Sequence, residues 1–330
     1  MSDTRFDVLG IGNAIVDVLA HAGDEFLNTL GLVKGTMALI DSETAEAVYA
    51  KMAPAVECSG GSAANTIAAL ASLGGSGAFI GKVAGDQLGA IFRHDIQALG
   101  VHFETEPLGN GAPTARCLVL ITADAQRTMQ TYLGACIELG PEDIDPETVA
   151  AAKVTYLEGY LWDPPRAKEA FLKAADIAHG AGRMVSLSLS DPFCVDRHRD
   201  DFLNLAKNHV DVLFANQEEI MSLYQVETFD DALQAVRADC QIAALTRSER
   251  GSVVVSADEV HVVDATVVDT VADSTGAGDV YAAGFLHGLT RGMALAECGR
   301  VGGIAAAEII SHVGARPETP LQELIGGIRD

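Results

Sequence analysis

Apolar and polar residues alternate in distinct patterns along the first 136 residues of the chain. Short apolar segments, typical of buried strands, occupy residues 6–12, 14–20, 36–40 and 77–84. Apolar residues with helical spacing predict helices over about 42–52, 63–73 and 87–99. We expect Ser42 to cap the first of these helices. Residues 101–136 alternate more strictly in three segments, at 101–108, 114–122 and 127–133, separated by turns, which predicts a small antiparallel patch.

From about residue 140 onward, strand and helix patterns follow one another. We expect strands at residues 154–160, 184–190, 210–216, 242–246, 252–256 and 260–266. Helical patterns lie at about 166–179, 199–208, 217–224, 279–291 and 295–311. This alternation predicts an α/β fold over residues 1–330, with a mostly parallel sheet covered by helices on both faces. The small β-rich patch, from about 13–40 and 101–136, would be an insertion beside it.

Composition and charge narrow the class of protein. The chain has 330 residues, 48% of them hydrophobic, but no uncharged apolar segment long enough to span a membrane. The N-terminus lacks a secretory signal pattern, and the six cysteines are widely spaced, as in cytoplasmic proteins with reduced thiols. A net charge of −24 argues against nucleic acid as a partner. Any phosphate site must therefore be built locally.

Two nucleotide-binding motifs begin in the sequence but are incomplete. Gly10 and Gly12 start a dinucleotide-binding pattern, yet Ile15 stands where its third glycine is needed. The segment SGAFIGKV at 76–83 begins with serine in place of the first glycine of a phosphate-binding loop. It also ends with Val83 where a magnesium-binding hydroxyl is required. We therefore reject both interpretations.

The segment DSTGAGD, at residues 273–279, precedes a strongly apolar helical pattern. Its glycines would let backbone N–H groups converge on an anion at a helix N-terminus, where the helix dipole favours negative charge. Asp279 would stand in the first helical turn and accept a proton from a substrate hydroxyl. Asp273 would hold the loop or face the surroundings of the acceptor hydroxyls. The alternative is a tight turn with an acidic cap.

Two earlier segments carry polar residues that would suit a ligand with hydroxyl groups. In GGSAAN at 60–65, the glycines allow a ligand to approach the backbone, and the Asn65 amide suits the hydroxyls of a sugar. A buried asparagine that bonds backbone is the alternative. Asn13 and Asp17 follow the first strand among apolar neighbours, and a buried aspartate needs a polar partner. A diol is one such partner.

Together these segments resemble the hallmark regions of the ribokinase-like, or PfkB, family of carbohydrate and nucleoside kinases. The glycine pair with a downstream asparagine and the DSTGAGD segment stand in the family's usual order, more than about 200 residues apart. The resemblance implies a ribokinase-like three-layer fold with the β-rich patch as a lid. It also implies ATP and Mg²⁺ as cofactors, a small-molecule acceptor, and a monomer or homodimer.

The resemblance also implies roles for individual residues. Asp279 would be the catalytic base, and the amides of Gly276, Ala277 and Gly278 the anion hole. The acceptor would be bound by Asn13, Asp17, Gly60, Gly61, Asn65 and Arg127. Of these, Arg127 would clamp a phosphate when the lid closes; a solvated turn arginine is the alternative. ATP and its magnesium would involve Asn216, Glu219, Thr246, Gly251 and Thr275. Glu219 would contact the metal through water, although a helix cap is the alternative. The helix around 305–309 would line the adenine site.

Within this family, the opening Gly-Asn-x-x-x-Asp and the segments at 34–41, 114–117 and 123–127 look most like the adenosine kinase branch. That branch implies phosphorylation of the 5′-hydroxyl of adenosine, with Asp17 on the ribose diol. Candidates for the base slot are Met37, Leu133, Tyr160 and Trp162, and a core position is an equal expectation for each. A free sugar (ribose, fructose or 2-keto-3-deoxygluconate), inosine or guanosine are the alternative acceptors. A nucleotide-binding module without activity is a further alternative.

Overall fold

The computed structural model describes residues 4–124 and 126–326. The strands are β1 (Phe6–Ile11), β2 (Ile15–His21), β3 (Met37–Leu39), β4 (Val56–Gly60), β5 (Gly77–Ile80), β6 (Ala115–Ile121), β7 (Arg127–Tyr132), β8 (Ala152–Glu158), β9 (Met184–Ser188), β10 (Val212–Asn216), β11 (Ile242–Thr246), β12 (Ser252–Ser256) and β13 (Val260–Val263). The helices are α1 (Asp24–Thr29), α2 (Ser42–Tyr49), α3 (Ser62–Ser72), α4 (Gln87–Ala98), α5 (Pro146–Ala151), α6 (Pro165–Gly180), α7 (Pro192–Asn208), α8 (Gln217–Tyr224), α9 (Phe229–Asp239), α10 (Ala277–Thr290), α11 (Leu295–Ile310) and α12 (Leu321–Ile325).

The main sheet has eight strands in the order β13-β12-β11-β10-β9-β8-β1-β5. The six neighbouring strands β11, β10, β9, β8, β1 and β5 pair in parallel. Strands β12 and β13 extend the sheet by antiparallel pairing. Successive residues of one strand enter two different hydrophobic clusters, as Val8 and Leu9 of β1 show. One cluster includes α6 and α7, and the other includes α3 and α10. The predicted α/β architecture in three layers is confirmed.

A second sheet has five strands in the order β3-β7-β6-β2-β4. It contains the strands predicted near 14–20, 36–40, 114–122 and 127–133, but the prediction of a strand at 101–108 is wrong. That segment instead forms two isolated bridges, of His102 with Ala78 and of Leu108 with Ala84, beside the main sheet. Between them, Arg93 of α4 donates to the carbonyls of Phe103 and Thr105. The prediction also missed β4, an edge strand whose first residue, Val56, is exposed.

Helix ends differ from the sequence prediction where capping side chains act. Asp41, not Ser42, caps α2 by accepting a hydrogen bond from the Thr44 amide at 2.8 Å. Helix α7 begins seven residues earlier than expected, because Asp191 accepts from the Cys194 amide at 2.6 Å. The sequence analysis also missed α5, α9 and α12. No helix in the described part of the chain is long and apolar enough to cross a membrane.

The carboxyl ends of β1, β8, β9 and β10 lie along one edge of the main sheet because these strands are parallel. Ligands of open α/β sheets bind outside such carboxyl ends. At this edge the chain places Asn13 after β1, Glu158 at the end of β8 and Asn216 at the end of β10. The N-terminus of α3 reaches the first two of these residues. The edge therefore collects the polar side chains of the candidate site.

Candidate active site

Asp279 lies in the first turn of α10 and is in contact with the start of α3. Its carboxylate accepts hydrogen bonds from Ser62 Oγ at 2.6 Å and from Asn65 Nδ2 at 3.1 Å. The structure thus brings together the two segments, 60–65 and 273–279, that the sequence analysis singled out. Burial raises the pKa of Asp279 to about 6, although these two hydrogen bonds oppose the rise. The carboxylate is ionised at neutral pH and basic enough to receive a proton.

The loop before α10 depends on its glycines in two different ways. Gly276, the N-cap residue, has φ +79°, and a Cβ there would lie 3.0 Å from Ala315. Gly278 has open space around the position of a Cβ. The Ala277 amide donates to the Ser274 carbonyl at 3.2 Å, so an incoming anion would compete with that bond. The helix N-terminus is therefore accessible on the side of Gly278.

Asp273 fixes this loop, which agrees with the first of its two expected roles. Its carboxylate accepts hydrogen bonds from the Thr275 amide at 3.0 Å and the Gly314 amide at 3.2 Å. Arg127 Nε lies 2.9 Å from Asp273 Oδ2, and both side chains are less than one-tenth exposed. Arg127 is thus already packed against the loop, whereas the sequence analysis expected it only on closure. Among the described residues, Arg127 Nη2 has no hydrogen-bond partner.

Asn13 lies just beyond β1 and is bound by Glu158, which the sequence analysis missed. Asn13 Nδ2 donates to Glu158 Oε1 at 2.7 Å, and the Ala63 amide donates to Glu158 Oε2 at 2.8 Å. Burial raises the pKa of Glu158 to about 7, and these hydrogen bonds oppose the rise. One signal for it was present in the sequence. Glu158 is the single charged residue in the apolar pattern VTYLEGY at 154–160.

Asp17 lies on β2, between Cys58 of β4 and Cys117 of β6 in the second sheet. Burial raises the pKa of Asp17 to about 6, while the positive charges of Arg316 and Arg127 oppose the rise. A Cβ on Gly60 would lie 2.3 Å from Asp17 Oδ2. The glycine therefore lets the chain before α3 approach the carboxylate closely.

Gly61 plays a similar part toward Asn13. It has φ +98°, and a Cβ there would lie 2.1 Å from the Asn13 carbonyl oxygen. Only glycine permits this combination of backbone conformation and close approach. The predicted acceptor residues of the first strand and of the glycine pair therefore meet in one place.

Arg316 is a second residue that the sequence analysis missed. Its guanidinium donates to the Ser59 carbonyl at 3.1 Å and to the Ala64 carbonyl at 2.9 Å. It therefore bridges the segment that contains Gly60 and Gly61. No local pattern marked this arginine, because its partners lie more than 250 residues earlier in the chain.

Asn216, at the end of β10, and Glu219, in the first turn of α8, form a reciprocal helix cap. Asn216 donates to Glu219 through its amide at 2.8 Å and through Nδ2 at 2.6 Å, and the Glu219 amide donates back at 2.9 Å. Burial raises the pKa of Glu219 to about 7. Both carboxylate oxygens are thus engaged, which matches the helix-cap alternative. A metal ion in direct contact with Glu219 would have to disrupt this cap.

A surface pocket of about 230 Å³ lies beside this cap. It is lined by Asn216, Gln217, Glu218, Thr246, Arg247, Ser248, Glu249 and Arg250. Gly251, which follows, has φ +73°, and a Cβ there would lie 2.0 Å from the Val263 carbonyl. Asn216 and Thr246, which the resemblance assigns to the ATP site, pair across β10 and β11 and border this pocket. In the described ranges, no group of three or more His, Cys, Asp or Glu side chains is placed to hold a metal ion.

The residues proposed for the base slot and the adenine wall do not share one environment. Trp162 is buried in the core, between Phe171 and Phe202, which is the core position that the sequence analysis kept as its alternative. Met37 is 50% exposed on β3, and Leu133 is half-buried. Tyr160 is 39% exposed, and its hydroxyl donates to the Ser190 carbonyl at 3.2 Å. Ala305 and Ile309 of α11 are fully buried in the core.

Comparison with known proteins agrees with this fold and site. The sequence profile of the pfkB family carbohydrate kinases matches residues 30–322. The chain therefore belongs to the PfkB family, and it is a kinase that uses ATP and phosphorylates an alcohol group. The ribokinase-like resemblance, drawn from three short segments, is confirmed.

Three proteins illustrate where the chain stands in this family. An adenosine kinase from Sinorhizobium meliloti is 55% identical, with a TM-score of 0.89 over 97% of this chain and 98% of that one. A probable sugar kinase from Rhizobium etli is 54% identical, with a TM-score of 0.90 over 98% of both chains. The adenosine kinase of Saccharomyces cerevisiae is 27% identical, over 95% of this chain and 97% of its own.

Proposed function

We propose that the protein transfers the γ-phosphoryl group of ATP to the 5′-hydroxyl of adenosine and releases AMP and ADP. One observation carries the proposal: the Asp279 carboxylate, at the N-terminus of α10, accepts hydrogen bonds from Ser62 and Asn65 of α3. This contact supports a catalytic base between the proposed anion loop and the proposed sugar-binding segment. The likeness to the Sinorhizobium meliloti adenosine kinase supports the choice of acceptor.

Three oxygen acceptors favour a ribose-like ligand. Asn13 and Asn65 are 3% and 6% exposed, and the Oδ1 atom of each has no hydrogen-bond partner among the described residues. The Asp17 carboxylate is the third, half-buried beside Gly60. Buried acceptors without donors are costly, so a ligand that supplies several hydroxyl donors would satisfy them. The ribose of a nucleoside is such a ligand.

The chemistry follows from these positions. Asp279 would accept the proton of the acceptor hydroxyl as that oxygen attacks the γ-phosphorus in line. The amides at the start of α10, with the spare donor of Arg127, would stabilise the charge on the transferring group. Thr275, Asn216, Thr246 and Gly251 would border the ATP phosphates. Glu219 would contact Mg²⁺ through a water molecule, and the ATP phosphates would supply oxygen ligands. The metal would neutralise the charge of these phosphates.

The wider organisation of the protein is part of the same proposal. The second sheet would act as a lid that closes over the acceptor and excludes water, which suppresses hydrolysis of ATP. The six cysteines are all free, which favours a reducing, cytoplasmic setting. We propose a monomer or homodimer with small-molecule substrates as its partners.

A panel of acceptors tests the proposed substrate. ADP release would be followed with adenosine, inosine, guanosine, ribose, fructose and 2-keto-3-deoxygluconate, each at several concentrations. We expect the highest kcat/KM with adenosine. Turnover of a free sugar but not of adenosine would replace the proposal with the sugar kinase alternative. ATP binding without turnover of any acceptor would point to a nucleotide-binding module.

The variant Asp279→Asn tests the base. Loss of the proton acceptor should lower kcat by at least about a thousandfold, whereas ATP binding measured by calorimetry should persist. Asp258→Asn, at an exposed position between β12 and β13, is the matched control and should keep full activity. Retained turnover in Asp279→Asn would remove the assignment of this residue as the base.

A further inference from the structure

The Glu158 carboxylate connects three segments that are distant in sequence. It stands at the end of β8 and is 1% exposed. Its Oε1 accepts from Asn13 Nδ2 at 2.7 Å. Its Oε2 accepts from the main-chain amide of Asn13 at 3.3 Å and from that of Ala63 at 2.8 Å. A carboxylate of this kind is acceptor-only when ionised, so it can be satisfied only by donors.

The hydrogen bond from Asn13 Nδ2 to Glu158 determines which atom of the Asn13 side-chain amide is left for a ligand. Because Nδ2 faces Glu158, Oδ1 is the atom left without a hydrogen-bond partner within the described residues. A flipped amide would bring its oxygen against a carboxylate oxygen, which is repulsive. Asn65 is held in the same way, since its Nδ2 donates to Asp279 and its Oδ1 is unpartnered. Two carboxylates thus orient two asparagines as acceptors.

Glu158 also holds the start of α3. The Ala63 amide belongs to the first turn of that helix, and the N-cap residue, Gly61, has no side chain to satisfy such donors. A residue from another segment therefore caps the helix. The same turn carries Ser62 and Asn65, which hold Asp279.

We propose that Glu158 is a positioning residue that sets acceptor specificity: it orients Asn13 so that the site accepts a hydrogen bond from one ring hydroxyl of the acceptor. The inference rests on the proposed function, because it concerns the same acceptor site. It adds a residue and a selection rule. Sugars that donate a hydroxyl hydrogen at this point are preferred over deoxy analogues, which leave Asn13 Oδ1 unsatisfied.

The variant Glu158→Gln tests the rule. The oxygen of a glutamine side chain at 158 can still accept from the Ala63 main-chain amide, which leaves the glutamine NH₂ group facing Asn13. The Asn13 side chain must then turn its oxygen toward this NH₂ group and its own NH₂ group toward the substrate. We expect KM for adenosine to rise about tenfold or more, and KM for ATP to change less than about twofold. The preference for adenosine over 2′-deoxyadenosine or 3′-deoxyadenosine should fall for one of the two analogues.

Two further variants make the result decisive. Asn13→Ala removes the amide but keeps Glu158 on Ala63, so it should show the same KM shift and loss of discrimination, and the double variant should add little. Asp211→Asn is the matched control, since that carboxylate accepts from the Val185 amide at 2.7 Å at the opposite, amino end of the strands. It should leave both KM values unchanged.

The outcomes separate this inference from the proposed function. A wild-type enzyme that phosphorylates no nucleoside overturns the proposed function itself. If the wild type is active, an unchanged adenosine KM in Glu158→Gln overturns the positioning role. An equal rise of both KM values with a lowered Tm would likewise show a purely structural residue. Should Glu158→Gln fail to fold, an unchanged adenosine KM in Asn13→Ala overturns the inference by itself.

Discussion

Carboxylates dominate the site at the scale of single residues. Burial raises the pKa of Asp17 and Asp279 to about 6 and that of Glu158 to about 7. The negative charge of Asp279 raises the pKa of both others, whereas Arg316 lowers it for Asp17 and Asp279. These groups therefore titrate as a coupled set near neutral pH, in the range useful for a general base.

The dependence of activity on pH follows from this set. A base must be ionised to accept a proton, so activity is present above the folded pKa and is lost as pH falls through it. We expect kcat/KM for the acceptor to fall about tenfold per pH unit below about pH 6. The measurement is kcat/KM from pH 4.5 to 8.5, with circular dichroism as a check that the protein stays folded. An acidic limb near the ordinary aspartate pKa, about 4, would contradict it.

At the scale of elements, the two glycines at the start of α10 lie in different surroundings. Gly276 is required by its left-handed conformation and its contact with Ala315. Gly278 meets no such restriction, because the space around it is open. The two glycines, two positions apart, therefore have different reasons to be glycine.

Alanine at each position distinguishes these reasons. Gly276→Ala should lower the free energy of unfolding by roughly 1–2 kcal/mol, because an L-residue is strained at positive φ. Gly278→Ala should leave stability nearly unchanged but reduce kcat by about tenfold, since its methyl group enters the space beside the anion-binding amides. Urea unfolding and steady-state kinetics measure the two effects. Equal loss of stability in both variants, or full kcat in Gly278→Ala, would refute this division.

The second sheet illustrates what element patterns can and cannot predict. Its strands β2, β6 and β7 follow from apolar alternation, because their side chains alternate between two environments. The segment at 101–108 alternates too, yet it forms isolated bridges beside β5, and its Phe103 and Thr105 carbonyls accept from side chains of α4. Side chains of α4 thus compete with a neighbouring strand for the backbone carbonyls of this segment, and the outcome depends on how α4 packs. It is therefore invisible in a local pattern.

At the scale of the whole molecule, the segment after α11 connects the loop before α10 to the start of α3. Gly314 donates to Asp273, Ala315 packs on Gly276, and Arg316 donates to the carbonyls of Ser59 and Ala64. The contact of Arg316 with Ser59 spans 257 positions of the chain. Residues from opposite ends of the sequence thereby hold the site together.

Removal of this connection should destabilise the protein. In Arg316→Gln, buried carbonyl acceptors lose their donors and Asp17 and Asp279 lose a nearby positive charge. We expect the free energy of unfolding in urea to fall by about 2–4 kcal/mol. Arg300→Gln, at an exposed position on α11, is the matched control and should change it by less than about 0.5 kcal/mol. A similar, small effect in both variants would show that Arg316 does not hold the site.

The sequence by itself determined the α/β class, the order of most elements, membership of the kinase family, and the glycine-rich turn that carries the candidate base Asp279. These properties depend on periodicity, on turn glycines and on segments of a few residues, all of which are local. Only the tertiary structure decided that Ser62 and Asn65 hold Asp279, that Glu158 orients Asn13, and that Trp162 belongs to the core. Those contacts join residues between 145 and 217 positions apart in the site, and the folding of the sheet alone brings such residues together.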